Sequence, residues 1–341
     1  MLRAAVLGCG AIGAGAPSHP EVGVGSHAAA YVACPATELV AVADADAGRA
    51  RAAAERFGAA QAGTDVARLL AESEPELVSV CTPDATHGAV LELVLRAPSV
   101  RGVLAEKPLA AGAEEAAALV ALARERDVVL SVNYSRRFAP PIVAVAGAVR
   151  GGALGTLQHV HGIYGKGLRH NGTHWLDLLR MLAGEPESVR GWDRLGESGD
   201  DPTLDAELTL GGGVGARLAA LDHAAFTAFE LDLIGTAGRI RLADAGHRIE
   251  RFGLATDARH AGYRILSVEP AEHAGLRDAL LHAVGDLARA VHAAGAPGAE
   301  PACTGADGVR ALALAEAIAA SAADGGRPVD TMAQPLQTPC R

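Results

Sequence analysis

Over residues 1–134 the chain alternates two patterns. Short apolar runs fall at residues 4–7, 39–43, 77–81, 103–105 and 128–132. Between them lie Ala/Leu/Glu/Arg stretches whose apolar positions recur at helical spacing, at 46–57, 86–96 and 114–126. Strands that are apolar along their whole length, separated by amphipathic helices, predict βαβ crossovers and a parallel sheet covered on both faces.

The pattern changes after Tyr134. A helix is predicted over 140–150, ended by Gly151, Gly152 and Gly155. From 156 to 268 the apolar runs lengthen and alternate with a period of two, at 157–163, 204–210, 215–221, 226–234 and 239–242. The Gly-Gly-Gly at 211–213 reads as a hairpin turn. One helix interrupts this region from about residue 172 to 183 and is closed by Gly184. Two Ala-rich helices follow, at about 273–294 and 305–323, joined by 295–301. The expected organisation is a nucleotide-binding domain over 1–134, an α+β domain over 135–330 with an open, mostly antiparallel sheet, and a loose tail at 331–341. The helices within 273–323 are candidates to pack back on the first domain.

Composition narrows the function classes. The 341 residues suit two domains, and half of them are hydrophobic, enough for a large core. A net charge of −10 argues against a general nucleic-acid or anionic-membrane binder. Cys9, Cys34, Cys81, Cys303 and Cys340 are scattered, odd in number and never paired as CxxC. They read as reduced thiols of a cytoplasmic protein without a zinc site. Glycines interrupt the apolar N-terminus, which argues against a targeting segment. No uncharged apolar run reaches the ~18 residues of a membrane span.

Candidate chemistry gathers in two places. The first apolar run enters Gly8-Cys9-Gly10-Ala11-Ile12-Gly13, a GxGxxG after the first strand of a βαβ series. In that context the glycines admit a tight turn and close approach of a pyrophosphate. The run at 39–43 ends in Asp44, placed to hold ribose hydroxyls. Asp44 lies farther from the glycines than the usual ~20 residues, because residues 14–26 form a Pro/Gly-rich insertion. A carboxylate there favours NAD; Arg49 and Arg51 leave NADP open. The second place is set by scarcity. The chain has 28 arginines but only two lysines, Lys107 and Lys166, and two asparagines, Asn133 and Asn171. Lysine persists where a compact, tunable ammonium is needed and a guanidinium cannot serve. Lys107 follows Glu106 at the end of an apolar run. Lys166, His170, Asn171 and His174 cluster in GKGLRHNGTHWLD. An N-cap at Asn171 or Thr173 would put His174 in a first helical turn, where the dipole favours a neutral ring fit for general-base work. Asp177, three residues on, either orients His174 or supports the helix start. His170 and His174 are spaced i, i+4, but Gly172 and the expected cap between them argue against a metal pair.

Taken in order, GCGAIG, the strand ending in Asp44, VSVCTPDATHGAV, AEKPLA, VNYSRRFAP, GTHWLDLLRMLAGEP and FELDLIGTAGRIRL resemble the glucose-fructose oxidoreductase / inositol dehydrogenase (Gfo/Idh/MocA) family. The resemblance implies a Rossmann doubly wound sheet, a second domain whose sheet builds homodimers or homotetramers, a nicotinamide cofactor and a sugar or cyclitol substrate. It implies that Thr82, Pro83, His87 and Glu106 line the cofactor. Lys107 would hydrogen-bond the reacting oxygen and His174 would exchange the proton. Tyr134, Arg137, Lys166, His170 and Asn171 are candidates to surround the substrate, and Tyr134 and Arg137 read equally well as packing residues of a hinge. Many members carry an acid where this chain has His170, which makes His170 a second candidate in the proton relay. A redox-neutral glycosidase or epimerase fits the same scaffold and differs in releasing no NADH. A cofactor-sensing regulator would need neither Lys107 nor His174.

Overall fold

The structure, a computed structural model, describes residues 1–15, 23–197, 199–296 and 298–332. It divides into two compact units. One comprises Met1–Ala139 and Leu276–Arg310; the other comprises Pro140–Gly275 and the chain from Ala311 onward. The division expected at 134/135 thus falls at 139/140, and a later segment returns to the first unit.

The first unit runs β1 (Leu2–Leu7), α1 (Ala11–Ala14), α2 (His27–Ala33), β2 (Thr37–Ala43), α3 (Ala47–Phe57), β3 (Gln61–Gly63), α4 (Val66–Ser73), β4 (Leu77–Val80), α5 (Asp84–Leu95), β5 (Gly102–Ala105), α6 (Ala113–Glu125) and β6 (Val129–Val132). The strands form one sheet in the order β3-β2-β1-β4-β5-β6, every neighbouring pair parallel. β4 and β5 are buried at every position, which is why their sequences are apolar without alternation. The helix Ala279–His292 belongs to this unit and packs against α2 and β5. Caps follow local chemistry. Asp46 accepts from Gly48 N and Arg49 N, Asp65 accepts from Arg68 N, and Gly58 ends α3 at φ 74°. The sheet order reverses between β1 and β4, so ligands are expected beyond the C-terminal ends of those strands.

Two helices and one strand of this unit fall outside the runs read from the sequence. β3 is three residues of mixed polarity. α4 and α2 are short, and α2 begins where the 14–26 insertion ends. Residues 16–22 of that insertion lie outside the described residues, as do 333–341 of the expected tail, including Cys340.

The second unit contains α7 (Pro140–Arg150), β7 (Leu157–Tyr164), a π-helical turn Leu168–Gly172 continuing into α8 (Thr173–Ala183), β8 (Pro186–Trp192), β9 (Asp205–Leu210), β10 (Val214–Ala220), β11 (Phe229–Gly235), β12 (Gly238–Ala243), β13 (Arg248–Thr256), β14 (Arg264–Val268), β15 (Glu272–His273) and β16 (Val329–Asp330). Its sheet is ordered β14-β13-β12-β11-β7-β10-β9-β8-β16, with β15 beside β13. Among the described residues β7 and β10 pair in parallel and the other pairs are antiparallel, giving the mostly antiparallel sheet expected. α8 buries Trp175, Leu176, Leu178, Leu179 and Leu182, and Trp175 Nε1 donates to Glu230 O on β11 at 3.0 Å. The helix expected from about residue 273 starts instead at Ala279. Gly275 takes a left-handed φ of 72°, which breaks the helical path and leaves Glu272–His273 to pair with β13. Among the described residues no helix is long and apolar enough to cross a membrane.

Candidate functional site

The glycine turn after β1 depends on backbone approaches that a side chain would block. Gly8 has φ 96°, and a Cβ there would lie 2.5 Å from Cys81 O. A Cβ on Gly13 would lie 1.7 Å from Gly8 O, so α1 can sit over the turn only without one. Gly10, by contrast, faces open space, with nothing within 4 Å of its Cβ direction. Ala11 and Ile12 are exposed beside it. The result is a bare backbone cradle at the C-terminal edge of β1, a shape that admits a pyrophosphate.

Asp44 follows β2 and is tied to that cradle. Its Oδ2 accepts from Cys9 N at 2.8 Å. Its Oδ1 accepts from Asp46 N at 2.8 Å and from Arg49 Nε and Nη2 at 3.1 and 2.9 Å. Burial acts to raise the Asp44 pKa, but the Asp46 and Cys9 N–H groups and the Arg49 guanidinium outweigh it and hold the carboxyl below its usual range. Arg49 is thus engaged with Asp44 rather than standing as a separate phosphate ligand.

The ends of β4, β5 and β6 supply the rest of this edge. Thr82 Oγ1 is buried with no hydrogen-bond partner among the described residues. Pro83 precedes α5. His87 on α5 is 2 % exposed, with Nδ1 at 3.4 Å from Thr82 O and Nε2 buried and unpartnered. Burial pushes the His87 pKa down, which favours a neutral ring. Glu106 directly follows β5, with a side chain only 13 % exposed. Its Oε1 accepts from His27 Nε2 at 2.9 Å and from Asn133 Nδ2 at 2.6 Å, and Oε2 lies 3.4 Å from Lys107 N. Burial opposes the charge, but His27, Asn133 and the Lys107 ammonium together hold the Glu106 pKa below its ordinary value. Orphaned polar atoms at Thr82 and His87 beside an open glycine turn are what a nicotinamide dinucleotide would fill, so the residues present fit that cofactor.

Tyr134 and Arg137 also fold with the first unit. Tyr134 is 1 % exposed, and Arg137 donates to Asp307 Oδ1 at 3.0 Å and to Ala302 O at 3.4 Å. Lys166, His170, Asn171 and His174 belong to the second unit, on the stretch between β7 and α8. The expected N-cap at Asn171 or Thr173 is not present. Asn171 Nδ2 donates to Gly165 O and Thr173 Oγ1 donates to Arg169 O. The helical run begins a turn earlier, after Gly167 at φ 82°, and its first N–H groups are satisfied from a distant loop. Asp201 accepts from Arg169 N and His170 N at 2.7 and 2.8 Å, and Thr203 Oγ1 accepts from Gly167 N at 3.0 Å. His174 is therefore beyond the first turn, and the dipole argument for its neutrality does not apply. Lys166 is exposed at a left-handed φ of 72°, uncommon for a residue with a Cβ. Asp177 is buried, 3.8 Å from Arg180 Nη1. Among the described residues no three His, Cys, Asp or Glu side chains gather as a metal site.

Residues without a role assigned from the sequence stand out here. His27, Ser79 and Asn133 form polar contacts around Glu106. His223 packs its Cβ 3.3 Å from the Cβ direction of Gly165, and its Nδ1 is buried and unpartnered. Asn133 was marked by the scarcity of Asn and by the VNYSRRFAP motif, and Ser79 only by lying in VSVCTPDATHGAV; His27 carried no signal.

Comparison with known proteins bears on the family and the fold. A family model described as an oxidoreductase family with an NAD-binding Rossmann fold, GFO_IDH_MocA, matches residues 2–134. The chain is 34% identical over 246 residues to a dTDP-3,4-didehydro-2,6-dideoxy-alpha-D-glucose 3-reductase of Streptomyces violaceoruber, covering 64% of this chain and 70% of the relative. It is 28% identical over 324 residues to an inositol 2-dehydrogenase of Rhizobium meliloti, covering 87% and 93%. A solved inositol dehydrogenase homolog from Azotobacter vinelandii, complexed with NAD+, shares the fold at a TM-score of 0.79 and 19% identity, over 96% of this chain and 97% of that one. The chain belongs to the Gfo/Idh/MocA family of oxidoreductases, whose NAD-binding Rossmann fold its first unit carries.

Proposed function

We propose that this enzyme transfers a hydride reversibly between C4 of the nicotinamide and a secondary alcohol or ketone carbon of a sugar, amino sugar, nucleotide sugar or cyclitol. The observation that carries the reading is the edge of the first sheet. An open glycine cradle, a carboxylate bonded to it and a Glu-Lys pair after β5 follow strands on either side of the switch between β1 and β4, at one edge of the sheet. The relatives named for a nucleotide-sugar ketone and for inositol support the substrate class.

When bound, NAD supplies the hydride acceptor. Lys107 donates a hydrogen bond to the reacting oxygen, which carries most negative charge in the transition state. His174 takes the hydroxyl proton, with His170 as a second group in the relay. Thr82, Pro83, His87 and Glu106 line the cofactor. Tyr134, Arg137, Lys166 and Asn171 contribute to substrate selection. The favoured cofactor is NAD, because Asp44 would face the extra phosphate of NADP. The second unit's sheet carries charged pairs Arg239–Asp232 and Arg241–Glu230, and we assign it to a homodimer or homotetramer contact.

The test is NADH formation from NAD across myo-inositol, free sugars, glycosides and dTDP-sugars, beside a thermal-shift comparison of NAD with NADP. The expected result is net NADH with at least one polyol and the larger stabilisation by NAD. Turnover without NADH release would replace the dehydrogenase by a redox-neutral glycosidase or epimerase.

A further inference from the structure

Behind Glu106 lies a hydrogen-bonded chain that runs into the core of the first unit. His27, the first residue of α2, has a side chain with no exposure. Its Nε2 meets Glu106 Oε1 at 2.9 Å and its Nδ1 meets Ser79 Oγ at 2.8 Å. Ser79 Oγ is in turn 2.9 Å from the Tyr31 hydroxyl. Ser79 and Tyr31 are also fully buried. A buried polar run of four side chains from three strands and helices is costly unless every link is made.

The chemistry fixes one proton. A carboxylate only accepts, so the ring nitrogen facing Glu106 must carry hydrogen whatever the charge of the ring. If the ring is neutral, the hydroxyls of Tyr31 and Ser79 donate in series toward Nδ1. If it is charged, they turn the other way. The same logic fixes Asn133. Its Nδ2 is the end that can serve Glu106, so its Oδ1 faces away, buried and unpartnered among the described residues. Cys81, His87 and Lys107 also bear on Glu106 electrostatically, and Cys81 bears on Tyr31.

We propose that His27 is a positioning residue for the Glu106–Lys107 corner: its Nε2–H holds Glu106 as a carboxylate in one orientation, and through Glu106 it turns the Asn133 carbonyl outward as an unused acceptor. This rests on the reading of Lys107 as the donor to the reacting oxygen. His27 itself touches neither substrate nor cofactor in this scheme. It acts by keeping a negative charge beside the Lys107 backbone where burial alone would remove it.

The experiment is NMR of the full chain labelled with glutamate at the side-chain carboxyl carbon, with Glu106→Gln assigning the Glu106 signal. In the wild type Glu106 titrates below the ordinary Glu range. In His27→Leu its midpoint rises by about one pH unit or more. His27→Gln, whose amide N–H can reach the same oxygen, restores most of the difference. A folded His27→Leu protein with the wild-type midpoint overturns the proposal, and so does a His27→Gln protein that titrates like His27→Leu. Should His27→Leu not fold, histidine nitrogen shifts of the wild type decide. A proton on His27 Nε2 at neutral pH supports the assignment, and a proton on Nδ1 alone overturns it. With a polyol substrate in hand, the acid limb of kcat/KM moves with the Glu106 midpoint. A Lys107→Ala enzyme that keeps wild-type turnover would remove the catalytic reading of this corner while leaving the NMR result standing.

Discussion

Glu106 and Lys166 are anchored in different ways. Glu106 directly follows a strand buried at every position and takes hydrogen bonds from His27 on α2 and Asn133 after β6. Lys166 stands exposed at a left-handed φ, before a π-helical turn whose first amides are held by one loop, at Asp201 and Thr203. Polar groups at the first position are fixed by the sheet itself and by contacts from several elements. At the second they are fixed by a single excursion of the chain. Damage to the first should therefore spread to cofactor binding and to stability together. Damage to the second should stay local.

The sharpest break of this contrast is at Gly13. A Cβ there meets backbone at 1.7 Å, and no side-chain rotation relieves it. Gly13→Ala should cost about 3 kcal/mol or more of stability in urea unfolding and abolish the NAD-induced thermal shift. Next is Asp44→Ala. It removes a carboxylate bonded to the turn at Cys9 N, and the NAD Kd measured by calorimetry should rise by about tenfold to a hundredfold, or ~1.5–3 kcal/mol. The same titration on Lys166→Ala should match wild type. A smaller effect is expected from Asp201→Ala, which leaves two helix-start amides without their acceptor. It should lose about 1 kcal/mol and leave the NAD Kd unchanged. If it weakens NAD as Asp44→Ala does, the local character of the second cluster is refuted.

The smallest effect concerns pH. Burial lowers the His87 pKa, so between that value and ~6.5 the unfolded chain binds a proton that the folded chain does not. Stability should fall as pH drops below about 6.5, and His87→Gln should flatten that part of the Tm profile. Asp44 and Glu106 have lowered pKa values. Their contribution is present above the ordinary carboxylate range and is lost as pH falls through the folded values. An acid limb unaltered in His87→Gln near pH 6 would assign it elsewhere.

The same contrast explains what the sequence disclosed. β1, β4 and β5 are apolar because both faces are covered, so their runs and the glycine turn after β1 could be read directly. β13 is mostly half-buried and β14 mostly exposed, with charged residues mixed in, and they showed no usable period. β3 is too short to show one. Asp44 and Glu106 were legible because each directly follows a recognisable strand, whereas Thr82, Pro83 and His87 came only from the family resemblance. His27 was not legible, because its partner Glu106 lies 79 positions away and its helix follows a Pro/Gly-rich stretch. The helix start before His174 was misread for a related reason. Its cap comes from Asp201, 31 residues downstream of His170, where a local search for Ser, Thr, Asn or Asp could not look.

The most direct test of the account is hydride transfer by Lys107→Ala, followed as NADH formation with a polyol that the wild type oxidises, in enzyme saturated with NAD. Loss of the donor to the developing alkoxide should lower kcat by about a hundredfold or more while the NAD Kd stays near wild type. A variant that keeps more than about a tenth of the wild-type kcat would contradict the account.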